Sequence, residues 1–322
     1  MTRTTQSVDA PAQAANPGAE NSGAARCGIF YNIPFTSYVE IPAMNHSALR
    51  SMAKSPLHFK WDQDHPRPST RSMEFGTLGH EGILDPLGIA KKYAVVPEAE
   101  LIAQLSKEYK APKATKAYKE LLAKFQAANV TRTIVEQDDY DRMVGMAEAV
   151  QADARTQAYL TGHGKVEVTI LWKDCDTGLI LKGRLDKWRS IGLIIDLKTT
   201  RDASRAERSI WKYGYHIQAA MYVDGVYELT GEHHEFVLIF VESEPPYGIR
   251  AAKLHESAIE LGRETYKRLL HQYAQCQATN EWPGYDHPIF WRLPEWAAHE
   301  HKPPATRKLP DVQLTAKGVP IP

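Results

Sequence analysis

The sequence predicts an α+β protein whose core runs helix, three strands, helix, strand, an αβββαβ order with inserted and C-terminal helices. Three observations predict it. Before residue 160 the apolar residues recur at helical spacing. From residue 165 the period changes: residues 165–172 alternate, and turns at Asp174-Cys175-Asp176-Thr177-Gly178 and near residues 189–192 separate two further strand-like runs. That pattern reads as a three-stranded antiparallel meander. Beyond residue 200 come a helical stretch, one apolar strand and a last helical stretch.

Each element has a local reason. Asn45 is a suitable cap for an amphipathic helix over residues 45–54, which ends before Ser55-Pro56 because proline disfavours a helical residue ahead of it. A polar loop is expected over residues 62–71. Residues 75–84 read as a helix with Leu78 and Ile83 facing inward, stopped by Asp85-Pro86. One further helical region lies within residues 98–125, interrupted at Pro112. Another covers about 136–160, where Met143, Met146, Ala147 and Val150 share a face. The strands are expected at residues 165–172, 179–186 and 193–198. A helix over about 207–228, a strand over 234–242 and a helix over 258–277 complete the order. Residues 1–27, rich in Ala, Ser, Thr, Asn and Gln, read as a disordered leader without the apolar stretch of a signal peptide. Residues 28–300 form one domain with a helical insertion at about 89–160. Residues 301–322, with Pro303, Pro304, Pro310, Pro320 and Pro322, read as an extended tail.

Composition excludes several classes. The 322 residues carry 39 Lys+Arg and 39 Asp+Glu, a net charge of zero. A strongly basic nucleic-acid coater would show its excess in that total, and an acidic disordered chain would show the opposite. Local patches are not constrained by it. Cys27, Cys175 and Cys276 are far apart and odd in number, which fits neither a disulfide framework nor a cysteine-ligated metal site. Reduced thiols in a cytoplasmic protein are expected. No segment approaches the ~20 apolar residues of a membrane span.

The sharpest chemical signal is a hairpin, Gly183-Arg184-Leu185-Asp186 followed by Ile195-Asp196-Leu197-Lys198. Asp196 and Lys198 are two apart in a strand and share a face, whereas Ile195 and Leu197 point to the other. With the turn near residues 189–190, Asp186 lies across from Ile194 or Asp196. Two carboxylates held together repel unless a cation joins them. Oxygen ligands with open water positions suit Mg²⁺, with Mn²⁺ as a substitute. Lys198 would then orient and help deprotonate a water, or stabilise charge on a phosphoryl oxygen. The plainer alternative is a surface hairpin with a cross-strand ion pair. Against it, Ile194-Ile195 leads directly into Asp196, as in an interior strand.

Other residues are weaker signals. Gln218 and Tyr222 are four apart on the next helix and share a face. They would hold the lysine or a substrate phosphate, or they are ordinary helix composition. Gly76-Thr77-Leu78-Gly79-His80-Glu81 places two glycines in a helix, at about 1 kcal/mol each, which suggests close packing. His80 is a possible ligand or a structural histidine. His80-Glu81 invites comparison with H-E-x-x-H zinc hydrolases, but position 84 is Leu84. Glu167, between Val166 and Val168, is a further carboxylate for a second metal or a water, or a solvated strand residue. Lys107, Lys110, Lys113, Lys116, Lys119 and Lys124 would line a DNA track or form a solvated helix face. Trp211, Tyr213 and Tyr215 would stack on bases or pack in the core.

Together, Gly183 to Asp186, Ile195-Asp196-Leu197-Lys198-Thr199-Thr200 and Gln218-Ala219-Ala220-Met221-Tyr222 resemble the PD-(D/E)xK nuclease superfamily, whose core has the αβββαβ order. Within it the chain most resembles the exodeoxyribonuclease VIII (RecE-type) exonuclease domain. Ser47-Ala48-Leu49 with Ser55-Pro56, and the Gly76 to His80 helix ending in Asp85-Pro86, carry that likeness over residues 41–242. The insertion matches nothing in it. The resemblance implies a metal held by Asp186, Asp196, His80 and the backbone carbonyl of Leu197. It makes Lys198 the catalytic lysine and Gln218 and Tyr222 its supports. It further implies 5′-to-3′ exonuclease action on linear double-stranded DNA, a role in phage-type homologous recombination beside a single-strand annealing recombinase, and a homo-oligomeric ring. An endonuclease of the same superfamily and a non-catalytic DNA-binding module remain as alternatives.

Overall fold

The apolar face of each amphipathic helix must find a sheet to cover, and the computed structural model, which describes residues 26–285, gives the sheet two such layers. In chain order the elements are β1 (Gly28–Phe30), α1 (Phe35–Glu40), α2 (His46–Lys54), α3 (Pro56–Asp64), α4 (Arg71–Leu84), α5 (Ile89–Lys92), β2 (Tyr93–Val95), α6 (Glu98–Leu105), α7 (Lys116–Ala128), β3 (Thr133–Val135), α8 (Gln137–Ala152), α9 (Ala154–Leu160), β4 (Gly164–Lys173), β5 (Ile180–Arg189), β6 (Leu193–Thr200), α10 (Ala206–Lys212), α11 (Tyr215–Thr230), β7 (Glu235–Glu242), β8 (Ile249–Lys253) and α12 (Glu256–Thr279). The expected tail, residues 286–300 and all but two residues of the expected leader lie outside the described residues.

One six-stranded sheet runs β1-β4-β5-β6-β7-β8. Strands β4, β5 and β6 form the expected meander. β7 then returns parallel to β6, in register from Leu193 opposite Glu235 to Thr200 opposite Glu242. A parallel return needs a crossover, and α10 and α11 supply it. One face of the sheet packs Val168, Ile170, Leu185, Ile194 and Leu238 with Leu49 of α2, Met221 of α11 and Leu269 of α12. The other packs Leu193, Ile195, Leu197 and Ile239 with Leu78 of α4 and Met146 of α8. β6 is therefore covered on both faces, which is why it reads as a run of apolar residues and not as alternation.

The differences from the sequence reading have local causes. Helix α3 occupies part of the expected loop. Ser55 caps it through the His58 amide at 3.2 Å, Pro56 takes its first turn, and Phe59 stacks with Trp282 at 5.6 Å. The same Ser55-Pro56 thus ends one helix and starts the next. The helix expected over 207–228 is two, because Gly214 has φ 67°, a conformation that glycine adopts at no steric cost. The helix expected over 136–160 also divides, at Asp153, which caps α9 through Thr156 at 2.6 Å. The insertion closes on itself. Leu101, Leu105 and Tyr118 join α6 to α7 in a small cluster, and β2 pairs parallel with β3. The edge strand β8 runs half-buried, exposed, exposed, half-buried, exposed, so it offered no periodic signal.

Candidate active site

The site forms where β5 and β6 part. Their pairing covers Lys187 with Ile195, Trp188 with Ile194 and Arg189 with Leu193. One residue further along, Asp186 takes the place of the ladder, its Oδ2 accepting a hydrogen bond from the Leu197 amide at 2.7 Å. The amide left open by the parted strand is thereby satisfied. On the other side of β5 the register holds at Val166 with Lys187 and at Val168 with Leu185, but Glu167 and Asp186 between them are unpaired. Glu167 has φ 52°, which costs a side-chain-bearing residue of order 1 kcal/mol. Leu185 and Trp188 both pack on the same face although three residues apart, so the strand's alternation also breaks here. The irregularity aims Asp186 at α4.

Helix α4 brings His80, whose Nδ1 lies 3.5 Å from Asp186 Oδ2. The two glycines flanking this turn allow the approach: a Cβ on Gly79 would stand 3.2 Å from Met146 and 3.3 Å from Thr199, and one on Gly76 3.4 Å from Thr199. From the opposite layer, α11 brings Gln218. Its amide bridges the β6 pair, with Nε2 donating to Asp196 Oδ1 at 2.8 Å and Oε1 accepting from Lys198 Nζ at 3.1 Å. Lys198 Nζ stands 2.6 Å from Asp196 Oδ2 and 4.5 Å from the centre of the Tyr215 ring. Asp196 Oδ2 is buried and, that ion pair apart, receives no hydrogen bond.

Electrostatics separate the partners. Burial and the neighbouring Asp196 charge push Asp186 up to about 8. Burial and the Lys198 charge push His80 down to about 4, so its imidazole is neutral near pH 7 with a lone pair to offer. Burial lowers the Lys198 value, but Asp196 and Asp186 outweigh it and hold the ammonium above its ordinary range. The donor set fits a hard divalent cation: two carboxylates, one with an oxygen free of hydrogen bonds, beside a neutral imidazole. Among the described residues three ligand atoms lie within 4.8 Å of one another only at Asp174, Cys175 and Asp176. That turn is already neutralised, since Lys267 bonds both carboxylates and Thr177 bonds Asp174.

The remaining sequence candidates take these places. Leu197 contributes backbone only, its side chain buried in the α4 layer. Tyr222 is buried and does not reach Lys198. Its ring packs on Gly183, where a Cβ would stand 2.8 Å from it, and its hydroxyl accepts from the Arg184 amide at 3.5 Å. Glu167 is taken by Arg184 at 2.7 Å, an arginine held also by the Ile33 carbonyl at 2.7 Å. Glu81 turns to Lys92 at 3.1 Å, and no second histidine accompanies it on α4, so the zinc-hydrolase pattern is not assembled. Two residues take part in ways the sequence reading did not assign: Arg184, quoted there only within its motif, and Tyr215, expected to stack on bases or pack in the core. Arg184 lies two residues before Asp186 on β5, and Tyr215 lies one turn before Gln218 on α11. Both spacings were signals of a shared face. The lysines of residues 107–124 are spread over the connection that follows α6 and over α7. Lys113 pairs with Glu98 at 2.5 Å and Lys116 with Glu120 at 3.5 Å.

A cleft of about 740 Å³ opens from Lys198, with Arg71, Arg201, Arg205, Tyr213 and Tyr215 on its walls. No helix among the described residues is long and apolar enough to cross a membrane.

Several solved structures are similar. One is a putative exonuclease from Eubacterium rectale, with 14% identity over 84% of this chain and 94% of that one and a TM-score of 0.49. Another is a phage-related exonuclease from Haemophilus somnus 129PT, with 14% identity over 54% of this chain and 90% of that one and a TM-score of 0.29. A third is an alkaline exonuclease from Laribacter hongkongensis, with 13% identity over 52% and 86% and a TM-score of 0.22. No curated protein matches. A family model matches residues 45–288, the stretch that carries α2 to α12 and every site residue above, and the chain belongs to that family, the PDDEXK-like domain of unknown function (DUF3799).

Proposed function

We propose that this protein is a divalent-metal-dependent deoxyribonuclease that removes nucleotides from linear double-stranded DNA. The observation that carries the reading is the Asp186 carboxylate set between β5 and β6, bonded to the Leu197 amide and facing His80, Asp196 and Lys198 across the gap. Asp186, Asp196 and His80, with the Leu197 carbonyl, are the residues that would hold Mg²⁺ or Mn²⁺. Such an ion supplies a water nucleophile at neutral pH and neutralises charge on the phosphoryl oxygens.

The chain's own residues do the rest. Lys198 keeps its proton beside two carboxylates, so it serves as a charge that stabilises a phosphoryl oxygen better than as a base. Gln218 fixes that ammonium and the Asp196 carboxylate to one rigid helix, so neither must reorganise as charge develops. Tyr222 positions Gln218 and closes the space beneath Gly183. Glu167 braces β4 against Arg184, and a second-metal role for it requires breaking that pair.

The finer reading is a 5′-to-3′ exonuclease of phage-type homologous recombination in the cytoplasm, working as a ring of copies with a single-strand annealing recombinase. The resemblance of the Asp196 strand and the Gln218 helix to the RecE-type domain supports it. The test is digestion of linear duplex labelled at either end and of closed circular duplex, with Mg²⁺, Mn²⁺ or chelator. Metal-dependent release of 5′-end nucleotides with the circle intact is expected. Cleavage of the circle would make the protein an endonuclease, and no hydrolysis with any divalent ion would leave a DNA-binding module.

A further inference from the structure

The strand that carries Lys198 runs on into a segment that the catalytic reading does not use. Residues 201–213 hold Arg201, Arg205, Arg208 and Lys212 against Asp202 and Glu207. Arg205 pairs with Asp202 at 2.9 Å, and Glu207 pairs with Arg250 at 3.2 Å. Arg201, Arg208 and Lys212 have no carboxylate partner among the described residues. On α10, Arg208, Trp211 and Lys212 follow the spacing i, i+3, i+4 and so share one helix face, and all three are exposed.

Trp211 is the anomaly. Its residue exposure is 68%, although a tryptophan is ordinarily well buried. The indole is nevertheless held in place. It stacks on His216 with the ring centres 5.2 Å apart and the planes 6° apart. His216 is itself buried, so the indole is backed on one side by a fixed ring. Next to it, Tyr213 gathers Lys212 at 5.3 Å and Arg50 at 5.6 Å. Tyr213 also stands 5.7 Å from Tyr215, the ring over which Lys198 sits. Tyr213, Tyr215, Arg201 and Arg205 share the cleft that opens from Lys198. A row of aromatic rings and unpaired cations therefore leads away from the catalytic lysine.

We infer that this ridge holds unpaired DNA, with Trp211 stacking on a base and Arg201, Arg208 and Lys212 meeting phosphates. The inference rests on the nuclease reading for its placement but not for its test. Charge complementarity favours a polyanion, and a pre-oriented aromatic plate beside the cations favours one with exposed bases. Each stacked base contributes about 1–3 kcal/mol, whereas in duplex DNA the base faces are already stacked and out of reach. A strand freed by fraying or by digestion offers them.

The experiment is binding of a fluorescent 20-nucleotide oligo-dT and of a blunt duplex of equal length to the full chain, in chelator, across a salt series. The variants are Trp211→Ala, Trp211→Phe, Arg208→Ala with Lys212→Ala, and Trp61→Ala as a control. Trp61 is a comparably exposed indole, at 58%, stacked on a histidine at 3.8 Å on α3. Trp211→Ala is expected to weaken oligo-dT binding about 5- to 100-fold and duplex binding far less. Trp211→Phe should recover most of the loss and Trp61→Ala should change nothing. The double cation variant should reduce the salt slope by about 0.7 per lost contact. Unchanged oligo-dT binding in Trp211→Ala, or an equal loss on both DNAs, would overturn the inference. Metal-dependent hydrolysis by the wild-type chain is read in parallel. If it fails while the Trp211 effect holds, the catalytic reading falls and the ridge stands; if it succeeds without a Trp211 effect, the ridge falls alone.

Discussion

Two clusters in this molecule have the same ingredients, two aspartates and a lysine, and opposite electrostatics. At the turn between β4 and β5, Asp174 and Asp176 share Lys267. Asp174 also accepts from the Thr177 amide at 2.9 Å and hydroxyl at 2.7 Å. Burial pushes Asp174 up, but the bonds from Lys267 and Thr177 outweigh it and leave the group below its ordinary range. Where β5 and β6 part, burial and a like charge push Asp186 up to about 8, and Asp196 Oδ2 has the Lys198 ion pair as its one contact. The first cluster is complete in itself and fastens α12 to the sheet. The second leaves a buried carboxylate with a single backbone donor beside a like charge. Composition does not distinguish them; the count of donors around each carboxylate does.

Four substitutions would break or sharpen that contrast. Lys198→Ala should have the largest effect, a loss of about 10³-fold or more in hydrolysis per folded molecule, with metal-free DNA binding retained and a lower melting temperature, since the buried Asp196 loses its ion pair; a steady-state assay beside thermal melting checks both. Full activity would remove Lys198 from the chemistry. Lys267→Met should cost about 3 kcal/mol in urea unfolding at pH 7, because it leaves a buried carboxylate unpaired, while hydrolysis per folded molecule stays unchanged. Its sign with pH follows from the depressed Asp174 value. The pair's contribution is present above the unfolded carboxylate pKa of about 3.9 and is lost as pH falls through the lower folded value. Unfolding followed from pH 7 downward should therefore show a large difference from wild type that begins to shrink only below about pH 4.

Gln218→Leu removes the bridge between Asp196 and Lys198, and should lower kcat about 10- to 100-fold with KM little changed. Asp186→Asn should have the smallest effect on the fold and the opposite sign. A folded carboxylate raised to about 8 loses stability as pH climbs from about 4, where the unfolded group ionises, to 8. In chelator the variant should therefore melt above wild type at pH 8 and close to it at pH 5, while losing metal-dependent hydrolysis. A lower melting temperature at pH 8 would show that Asp186 serves the fold.

Much of the arrangement was legible in the residues. Ile194 and Ile195 ahead of Asp196 mark an interior strand carrying charge, and the Asp196–Lys198 spacing puts both on one face. The glycines at 76 and 79 mark the close approach of α4. Other features were not legible. The break in alternation between Leu185 and Trp188 and the left-handed backbone at Glu167 leave no composition signal, yet they turn Asp186 out of the ladder. Residues 45–54 and 75–84 were readable because their apolar periodicity is local. The edge strand β8 was not, because its pairing with β7 is what makes it a strand.

Taken alone, the sequence determined the order of the core elements, the two faces of β6 and the residue types of the candidate site, because these depend on periods of two and 3.6 residues and on chemistry carried by single side chains. Only the tertiary structure decided which carboxylates gather several donors and which, like Asp186, are buried beside a like charge. It alone showed that Glu167 is spent on Arg184 and that Trp211 stands exposed on the buried His216 ring. Burial, pairing and register are properties of neighbours that meet only when two layers close on the sheet, and no window of the chain contains both partners.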